Sequence, residues 1–355
     1  MGARVVIFGW SGSVHVQRWV TGLQARGFEM KVVSLGGPPL ADCETTVLPR
    51  TGRWSYLTHA ARAAEAARAF APDLVHAHYA TGFGYWAVRS RLRPSLVSVW
   101  GADVIDFPAG WFRARLLRAV LRRATHLSAT SQFLRSKVIG LDGSLASQTS
   151  VIPFGVAIPA EAAAPPPAPP VRLCYVKNLR PKYGADVLLQ AMARARKELP
   201  DLRLDIAGEG EMKARLLEKT KNLGLDDLVE FVGFVPNDRV YAFIREHHIM
   251  VMPSVCLESF GVAALEAAAC GRPVIASAVG GVPEVVRREE TGILVPPGDS
   301  EKLAEAIVRL GRDAALRERF GRNGWAFAKE NYNWELSLDR MSELYLRLID
   351  EKKKS

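Results

Sequence analysis

Residues 253–277 read PSVCLESFGVAALEAAACGRPVIAS. An apolar run, Ile249 to Met252, ends at Pro253, and a short polar loop follows. A small-residue helix opens near Phe260. Gly271-Arg272-Pro273 then breaks it, and Val274 to Ala276 is a second β-branched run. This is strand, helix, strand within about thirty residues, a unit that closes only as a parallel pair with the helix crossing over.

The same alternation runs outward in both directions. Toward the N-terminus, strands are expected at Leu173 to Val176, Leu202 to Ala207 and Val229 to Val232, and beyond the opening stretch at Ile293 to Val295. The first half repeats the pattern with Arg4 to Phe8, Met30 to Leu35, Leu74 to His76 and Leu96 to Val99. A helix spans Val14 to Arg26, with Val16, Trp19, Val20 and Leu23 on one face, and Gly27 stops it. Strands and helices in this rhythm predict an α/β fold with parallel sheets covered on both faces. Between the halves lies VAIPAEAAAPPPAPP, residues 156–170. Proline at this density joins neither helix nor sheet interior, so the segment reads as an extended linker. The expected domains are therefore 1–155 and 171–334. A closing helix at roughly 335–355, striped by Leu336, Leu338, Met341, Leu344 and Leu348, crosses back to the first. In such sheets ligands sit at the carboxyl ends of the strands.

The chain has 355 residues, which suits two domains. Hydrophobic residues make up 48% and charged residues 24%, which argues against a disordered or fibrous chain. No run approaches the 20 or so apolar residues of a membrane-spanning helix. Met1 to Trp10 is too short for a signal peptide, and Val6 stands where a myristoylation signal needs Ser or Thr. Cys43, Cys174, Cys256 and Cys270 form no CxxC pair, which points to a reduced, cytoplasmic setting. The net charge of +10 is uneven: residues 1–170 hold 18 Lys and Arg against 9 Asp and Glu, and the remainder is close to neutral. A basic half suits an anionic partner, although solubility alone can explain surplus charge.

Within the opening stretch Glu258 and Glu266 are eight residues apart, roughly 12 Å at most along a helix. That is too far for a glycosidase pair at about 5 Å. It suits the two ends of a nucleotide sugar, with unpaired helix amides between them for a diphosphate.

The pattern ESFGxxxxE, with PS ahead and GRPVIAS behind, resembles the retaining glycosyltransferases of family four (glycosyl transferases group 1). The resemblance extends to RPKYGADVLLQAM (180–192), IAGEGEM (206–212), FVGFVP (231–236), VGGVPEVV (279–286) and TGILVPPGD (291–299). It implies the GT-B fold, two Rossmann-like domains facing a cleft, and transfer of a sugar from a nucleotide diphosphate sugar to a hydroxyl acceptor. By that resemblance Glu258 contacts donor-sugar hydroxyls and Glu266 holds the ribose. Ser259 and the amides of Phe260, Gly261 and Val262 face the phosphates. Phe234, Val235 and Pro236 line the base pocket, and Lys182 neutralises the leaving diphosphate. Where the family often has Arg, this chain has Asn178, with Arg180 or Lys177 near enough to compensate. Gly12 and Ser13 form the short glycine loop expected to reach the donor phosphate. The loop is not GxGxxG and no acid ends the second strand, which argues against a nicotinamide dinucleotide.

The family's His in a T-x-H-G-x-D segment is here Trp100, in Ser98-Val99-Trp100-Gly101-Ala102-Asp103. Asp103 or His78 is left to aid the acceptor. His76 and His78 share a strand face and could ligate a metal, but no third ligand is suggested, so they read as core or cleft histidines. With no DxD pair, transfer is expected to need no metal and no cofactor beyond the nucleotide sugar. Residues 111–127, WFRARLLRAVLRRATHL, place Phe112, Leu116, Val120 and Leu121 at helical spacing amid Arg113, Arg115, Arg118, Arg122 and Arg123. Such a helix can lie on an anionic bilayer, at the inner face of the membrane; it can equally be a core helix with a solvated basic face. Trp100 and Arg113 are the acceptor-side candidates, for an acceptor that is lipid-linked or phosphorylated. Nucleic acid is not an expected partner, for want of a recognition motif. The expected role is in cell-surface polysaccharide or glycolipid synthesis. A catalytically impaired nucleotide-sugar-binding regulator on the same fold is the alternative, and a phosphorylase or epimerase of similar fold is a third.

Overall fold

The computed structural model describes residues 2–52 and 54–354. The chain forms two compact units, the first running to Pro153 and resuming at Glu335, the second from Phe154 to Trp334.

The first unit is built on a seven-stranded parallel sheet: β1 (Arg4–Phe8), β2 (Glu29–Leu35), β3 (Glu44–Leu48), β4 (Leu74–His78), β5 (Ser95–Val99), β6 (His126–Ala129) and β7 (Thr149–Val151). Their spatial order is β3-β2-β1-β4-β5-β6-β7. The second unit has β8 (Arg172–Val176), β9 (Arg203–Ala207), β10 (Val229–Gly233), β11 (Ile249–Met252), β12 (Val274–Ser277) and β13 (Gly292–Val295), in the order β10-β9-β8-β11-β12-β13. Every pairing in both sheets is parallel. Each order therefore reverses once, between β1 and β4 and between β8 and β11. These are the two switch points at which loops from neighbouring strands part and leave room for a ligand.

The central strands are buried on both faces, which is why they read as continuous apolar runs such as Val5-Val6-Ile7-Phe8 and Ile249-Met250-Val251-Met252. Helix Val14–Gln24 buries Val16, Trp19, Val20 and Leu23, and Gly27 follows it with φ +86°, the left-handed conformation that stops a helix cheaply only at glycine.

Helix Trp334–Lys354 buries Leu338, Met341, Leu344, Tyr345 and Leu348, and its residues from Glu335 on belong to the first unit. Leu338 packs so closely on Gly22 that a Cβ there would lie 2.6 Å from its methyl carbons. Arg26 fixes the helix start through Glu335 at 2.9 Å and Asp339 at 2.7 Å. Leu336 of the anticipated stripe is only partly buried.

The proline-rich segment differs from a free linker. Val156 bridges to Asn333, and Trp325 Nε1 donates to the Pro159 carbonyl at 3.1 Å. The buried Arg272 guanidinium donates to the carbonyls of Ala163 (2.8 Å), Ala164 (2.7 Å) and Arg245 (2.9 Å). The segment is thus tied down on the second unit, and its free carbonyls are what a buried arginine needs as partners.

Candidate functional site

At the switch point of the second unit, β8 delivers Lys177 and β11 delivers Pro253 and the loop after it. Lys177 Nζ lies 3.1 Å from Glu258 Oε1 and 3.2 Å from Oε2, and Ser254 Oγ donates to Oε1 at 2.7 Å. The Glu258 side chain is 11% exposed and that of Lys177 21%, so the pair is largely out of water. An ion pair so placed is geometrically specific rather than a strong source of stability.

The loop Pro181–Gly184 locks onto this one. The Val255 N–H donates to the Lys182 carbonyl at 3.0 Å, and a Cβ on Gly184 would lie 1.9 Å from the Pro253 carbonyl oxygen. Lys182 is exposed, its ammonium 5.2 Å from the Tyr183 ring; Lys177 approaches the same ring at 4.9 Å. From behind, the Gly281 N–H donates to the Glu258 carbonyl at 2.9 Å, and Gly280 packs against the same peptide.

Gly261, with φ +106°, turns the chain into helix Val262–Ala269. The Leu265 N–H donates to the Gly261 carbonyl at 3.2 Å, so the amides of Val262, Ala263 and Ala264 precede the first intrahelical bond. The helix is buried except at Val262 and Glu266, one turn apart on one face. The Phe260 ring is core, edge-on to Tyr332 at 5.4 Å, so only its backbone can serve a ligand. Ser259 is half-buried beside it.

Phe234 follows the edge strand β10 and is 69% exposed; Val235 is half-buried and Pro236 exposed. The loop of Gly208 reaches it, its N–H donating to the Gly233 carbonyl at 2.7 Å. Asn178 is exposed, and its carbonyl accepts from Tyr175 Oη at 3.3 Å.

The structure thus brings together Glu258 with Lys177, and places Lys182, Ser259, Gly261, Val262 and Glu266 on adjoining loops. The cation against Glu258 is Lys177 rather than Lys182. Ser254, Tyr183, Gly280 and Gly281 are supporting residues that sequence reading misses. All four lie inside the stretches PS, RPKYGADVLLQAM and VGGVPEVV, but those motifs alone assign them no role.

The first unit's switch point gathers Trp10, His15, His78, Tyr79 and Trp100. His78 sits at the end of β4, its ring tilted on Trp100 with centroids 4.6 Å apart; His15 meets Trp100 edge-on at 5.9 Å, and Tyr79 at 5.4 Å. Tyr79 has φ +81°, a strained conformation for a non-glycine residue. Both ring nitrogens of His78 are buried without a hydrogen-bond partner. Burial first, then repulsion from His76 and His15, holds its pKa well below the ordinary value. His15 is held at about 4, by burial and then Arg18.

His76 is a core residue: Nδ1 meets Tyr345 Oη at 2.5 Å and Nε2 meets Ser98 Oγ at 2.6 Å, with Ser128 beyond at 2.5 Å. Burial holds its pKa at about 3. Among the described residues no group of three metal-ligating side chains comes together.

Asp103, fully buried, accepts from the N–H groups of Ala80 (2.8 Å), Gly101 (2.8 Å) and Trp100 (3.2 Å). Burial raises its pKa and the amide bonds oppose the rise. Its oxygens clamp the loops after β4 and β5, a positioning geometry in place of the open carboxylate expected of a catalytic base. Gly12 packs on the Trp10 ring, where a Cβ would come within 2.7 Å, and Ser13 opens helix Val14–Gln24 without a side-chain cap.

Arg113 is exposed, 5.9 Å from the Phe107 ring. Its helix, Trp111–Arg123, buries Leu117 and Leu121. Phe112 and Leu116 of the anticipated stripe are 58% and 47% exposed, because the buried face is one residue out of phase with the reading above.

Two parallel sheets with matching switch points, and a helix N-terminus flanked by a carboxylate and ammonium groups, define a nucleotide-sugar-dependent transferase of two Rossmann-like units. Comparison with known proteins agrees. Residues 161–326 match the family described as glycosyl transferases group 1, and residues 4–131 match glycosyl transferase 4-like. The D-inositol 3-phosphate glycosyltransferase of Kribbella flavida is 31% identical over 293 residues, 75% of this chain and 69% of that one. The phosphatidyl-myo-inositol mannosyltransferase of Mycobacterium leprae is 28% identical, covering 93% and 91%. Among solved structures, sucrose-phosphate synthase from Thermosynechococcus elongatus superposes with a TM-score of 0.82 at 25% identity, covering 98% of this chain and all of that one. The chain belongs to the group 1 glycosyltransferases, the family-four enzymes of the GT-B fold. It is a glycosyltransferase that takes its sugar from a nucleotide diphosphate sugar.

Proposed function

We propose that the enzyme is a retaining, metal-independent hexosyltransferase acting on a lipid-linked or phosphorylated hydroxyl acceptor, in glycolipid or cell-surface polysaccharide synthesis at the cytoplasmic face of a membrane. The observation that carries the donor side is the grouping of Lys177, Glu258 and Ser254 immediately ahead of the open amides of helix Val262–Ala269.

In this reading Glu258, oriented by Lys177 and Ser254, accepts hydroxyls of the donor sugar. Glu266, on the one open face of its helix, holds the ribose. Phe234, Val235 and Pro236 cover the base, with Asn178 beside the sugar. As the bond between the anomeric carbon and the diphosphate breaks, negative charge grows on the phosphate oxygens. The amides from Phe260 to Val262 and the ammonium of Lys182 stabilise it. Ammonium groups and amides then stand where other transferases use a divalent cation, and no further cofactor is needed.

On the acceptor side the reading rests on the basic first unit, the unpartnered His78 under Trp100, and the exposed Trp111, Phe112, Arg113 and Arg115. The mannosyltransferase relative, by its name, acts on a phosphatidylinositol, which supports a lipid acceptor. Among the described residues no helix is long and apolar enough to cross a membrane, so attachment would be peripheral.

The test is turnover of a donor panel with two variants. Glu266→Ala raises donor KM and Lys182→Ala lowers kcat. Wild-type constants in both would sink the site assignment, and a product of inverted anomeric configuration by proton NMR would sink the retaining mechanism. The closed cover of Trp100 over His78 is the observation that favours a non-catalytic binder. A donor that binds tightly but is never hydrolysed or transferred would select that reading.

A further inference from the structure

The first unit contains a cavity of about 560 Å³ between helix Phe83–Ser90 and helix Trp111–Arg123. That is the size of a small-molecule site. Its walls include Tyr56, Tyr85, Phe107, Leu116, Leu117 and Val120. Among the described residues no Asp or Glu lines it, yet Arg89, Arg91 and Arg123 do.

A basic residue in the last turn of a helix is favourable by itself, which accounts for Arg89 and Arg123 singly. It does not account for three arginines lining one apolar cavity. All three are exposed, and none has a carboxylate within 4.0 Å among the described residues. Arg123 makes only a local bond to the Ala119 carbonyl, at 3.2 Å. Arg91 holds φ +60°, the left-handed cap position that glycine fills without strain. The apolar lining also continues outward: Leu57 and Leu116 belong to the wall yet stand half exposed, and Trp111 and Phe112 extend the same helix into solvent.

An apolar slot with a cationic rim, no acid, and an uncovered apolar lip fits an amphiphile with an anionic head. A bare anion would leave the slot empty, and a neutral hydrocarbon would leave the guanidinium groups without a counter-charge. We propose that this cavity binds one hydrocarbon chain of an anionic phospholipid, with the lipid phosphate held by Arg89, Arg91 and Arg123. The inference goes beyond the surface attachment proposed above. It names a bound molecule and does not require the acceptor to be lipid-linked.

The experiment uses the whole protein and three probes followed by calorimetry: dodecyl phosphate and dodecyl maltoside, both below their micellar concentrations, and inorganic phosphate. Dodecyl phosphate is expected to bind at least tenfold tighter than either probe that carries only half of its chemistry. The exposed double variant Arg89→Glu with Arg123→Glu, which leaves the core untouched, should weaken it at least tenfold, and Ala119→Trp should do so by filling the slot. Phosphatidylglycerol vesicles should compete with dodecyl phosphate, and phosphatidylcholine vesicles should not. Equal binding of dodecyl phosphate and dodecyl maltoside overturns the proposal, as does indifference to the double charge reversal. Failure of phosphatidylglycerol vesicles to compete overturns the assignment to a membrane lipid. A donor-turnover result from the preceding section bears on none of these outcomes, so the two readings fail separately.

Discussion

Replacing Gly280 with alanine tests how Glu258 is held. Gly280 has φ +56°, and a Cβ there would lie 2.0 Å from the Glu258 carbonyl oxygen, 2.8 Å from its nitrogen and 2.9 Å from its carbonyl carbon. All three are backbone atoms, so no side chain can swing aside. To restore an ordinary contact the Glu258 peptide must retreat by about 1.4 Å. The left-handed conformation itself costs alanine about 1–2 kcal/mol. The retreat also strains the Gly281 N–H bond to the same carbonyl and pulls the carboxylate from Lys177 and Ser254. Bonds to a charged group are worth about 1.5–3 kcal/mol each. A misplacement of about 1 Å in a reacting constellation typically costs about 100-fold in rate.

Gly298→Ala is the matched control. Its φ is +78°, and nothing stands within 4 Å of the added carbon. It carries the backbone penalty without the contact. Urea unfolding and kcat/KM for sugar transfer, measured on both, separate the two effects. Gly298→Ala should lose about 1–2 kcal/mol with near-normal kcat/KM. Gly280→Ala should lose more stability and about two orders of magnitude in kcat/KM. If the two variants prove equal in both measurements, Glu258 is not held by this contact or takes no part in transfer.

Three further outcomes are expected. In a double-mutant cycle of Lys177→Met and Glu258→Gln, the double variant should destabilise less than the sum of the two single variants, with a coupling of about 1–2 kcal/mol after allowing for the part of Lys177 that reaches water; a coupling near zero would remove the pair as a unit. Tyr345→Phe leaves His76 Nδ1 buried without its 2.5 Å partner and should cost about 1–3 kcal/mol by thermal unfolding, with a smaller loss if the ring can turn to another partner. Finally, His76 and His78 have folded pKa values below the unfolded value of about 6.5. Between that value and about 3, where His76 itself titrates, the unfolded chain binds more protons, so stability is full above about pH 6.5 and falls as the pH drops, by up to about 1.4 kcal/mol per pH unit for each histidine. Urea midpoints at pH 7 and pH 5 measure this, and a midpoint that does not move would contradict it.

The strands that are legible in the sequence are mostly those buried on both faces. β1, β2, β4, β5, β8, β9, β11, β12 and β13 are mostly apolar runs because water reaches little of them, whereas β10, Val-Glu-Phe-Val-Gly, is an edge strand with Glu230 and Val232 wet and is legible by its apolar alternation. β3, β6 and β7 are not legible, and the reasons differ. β3, Glu-Thr-Thr-Val-Leu, is an edge strand with half its residues wet. β6, His-Leu-Ser-Ala, is buried yet polar, because Ser128 completes the chain from His76 through Ser98, and His126 meets Ser150 at 2.8 Å. A polar side chain satisfied by a partner in another strand carries no local sign of burial. β7 is only three residues long.

The site divides in the same way. The Glu258 to Glu266 stretch is local and legible. The partnership of Glu258 with Lys177 spans 81 residues and exists only because β8 and β11 are neighbours. Asp103 looks like a reacting group in sequence, and only the three amides converging on it show a clamp. The phase of helix Trp111–Arg123 is ambiguous to the eye, since Leu116, Leu117, Val120 and Leu121 offer two adjacent faces and packing selects one.

The helix that begins at Trp334 has a consequence for how the protein is made. His76 waits 269 residues for the hydroxyl of Tyr345, and Gly22 waits similarly for Leu338. On the ribosome, the strands of the second unit are all out before that helix appears. The unit that starts first therefore finishes last, and until then it presents an uncovered groove and a histidine without its partner. Interrupted translation would leave a nearly complete second unit joined to a first unit missing its closing helix, a species that quality-control proteases could distinguish from the finished enzyme.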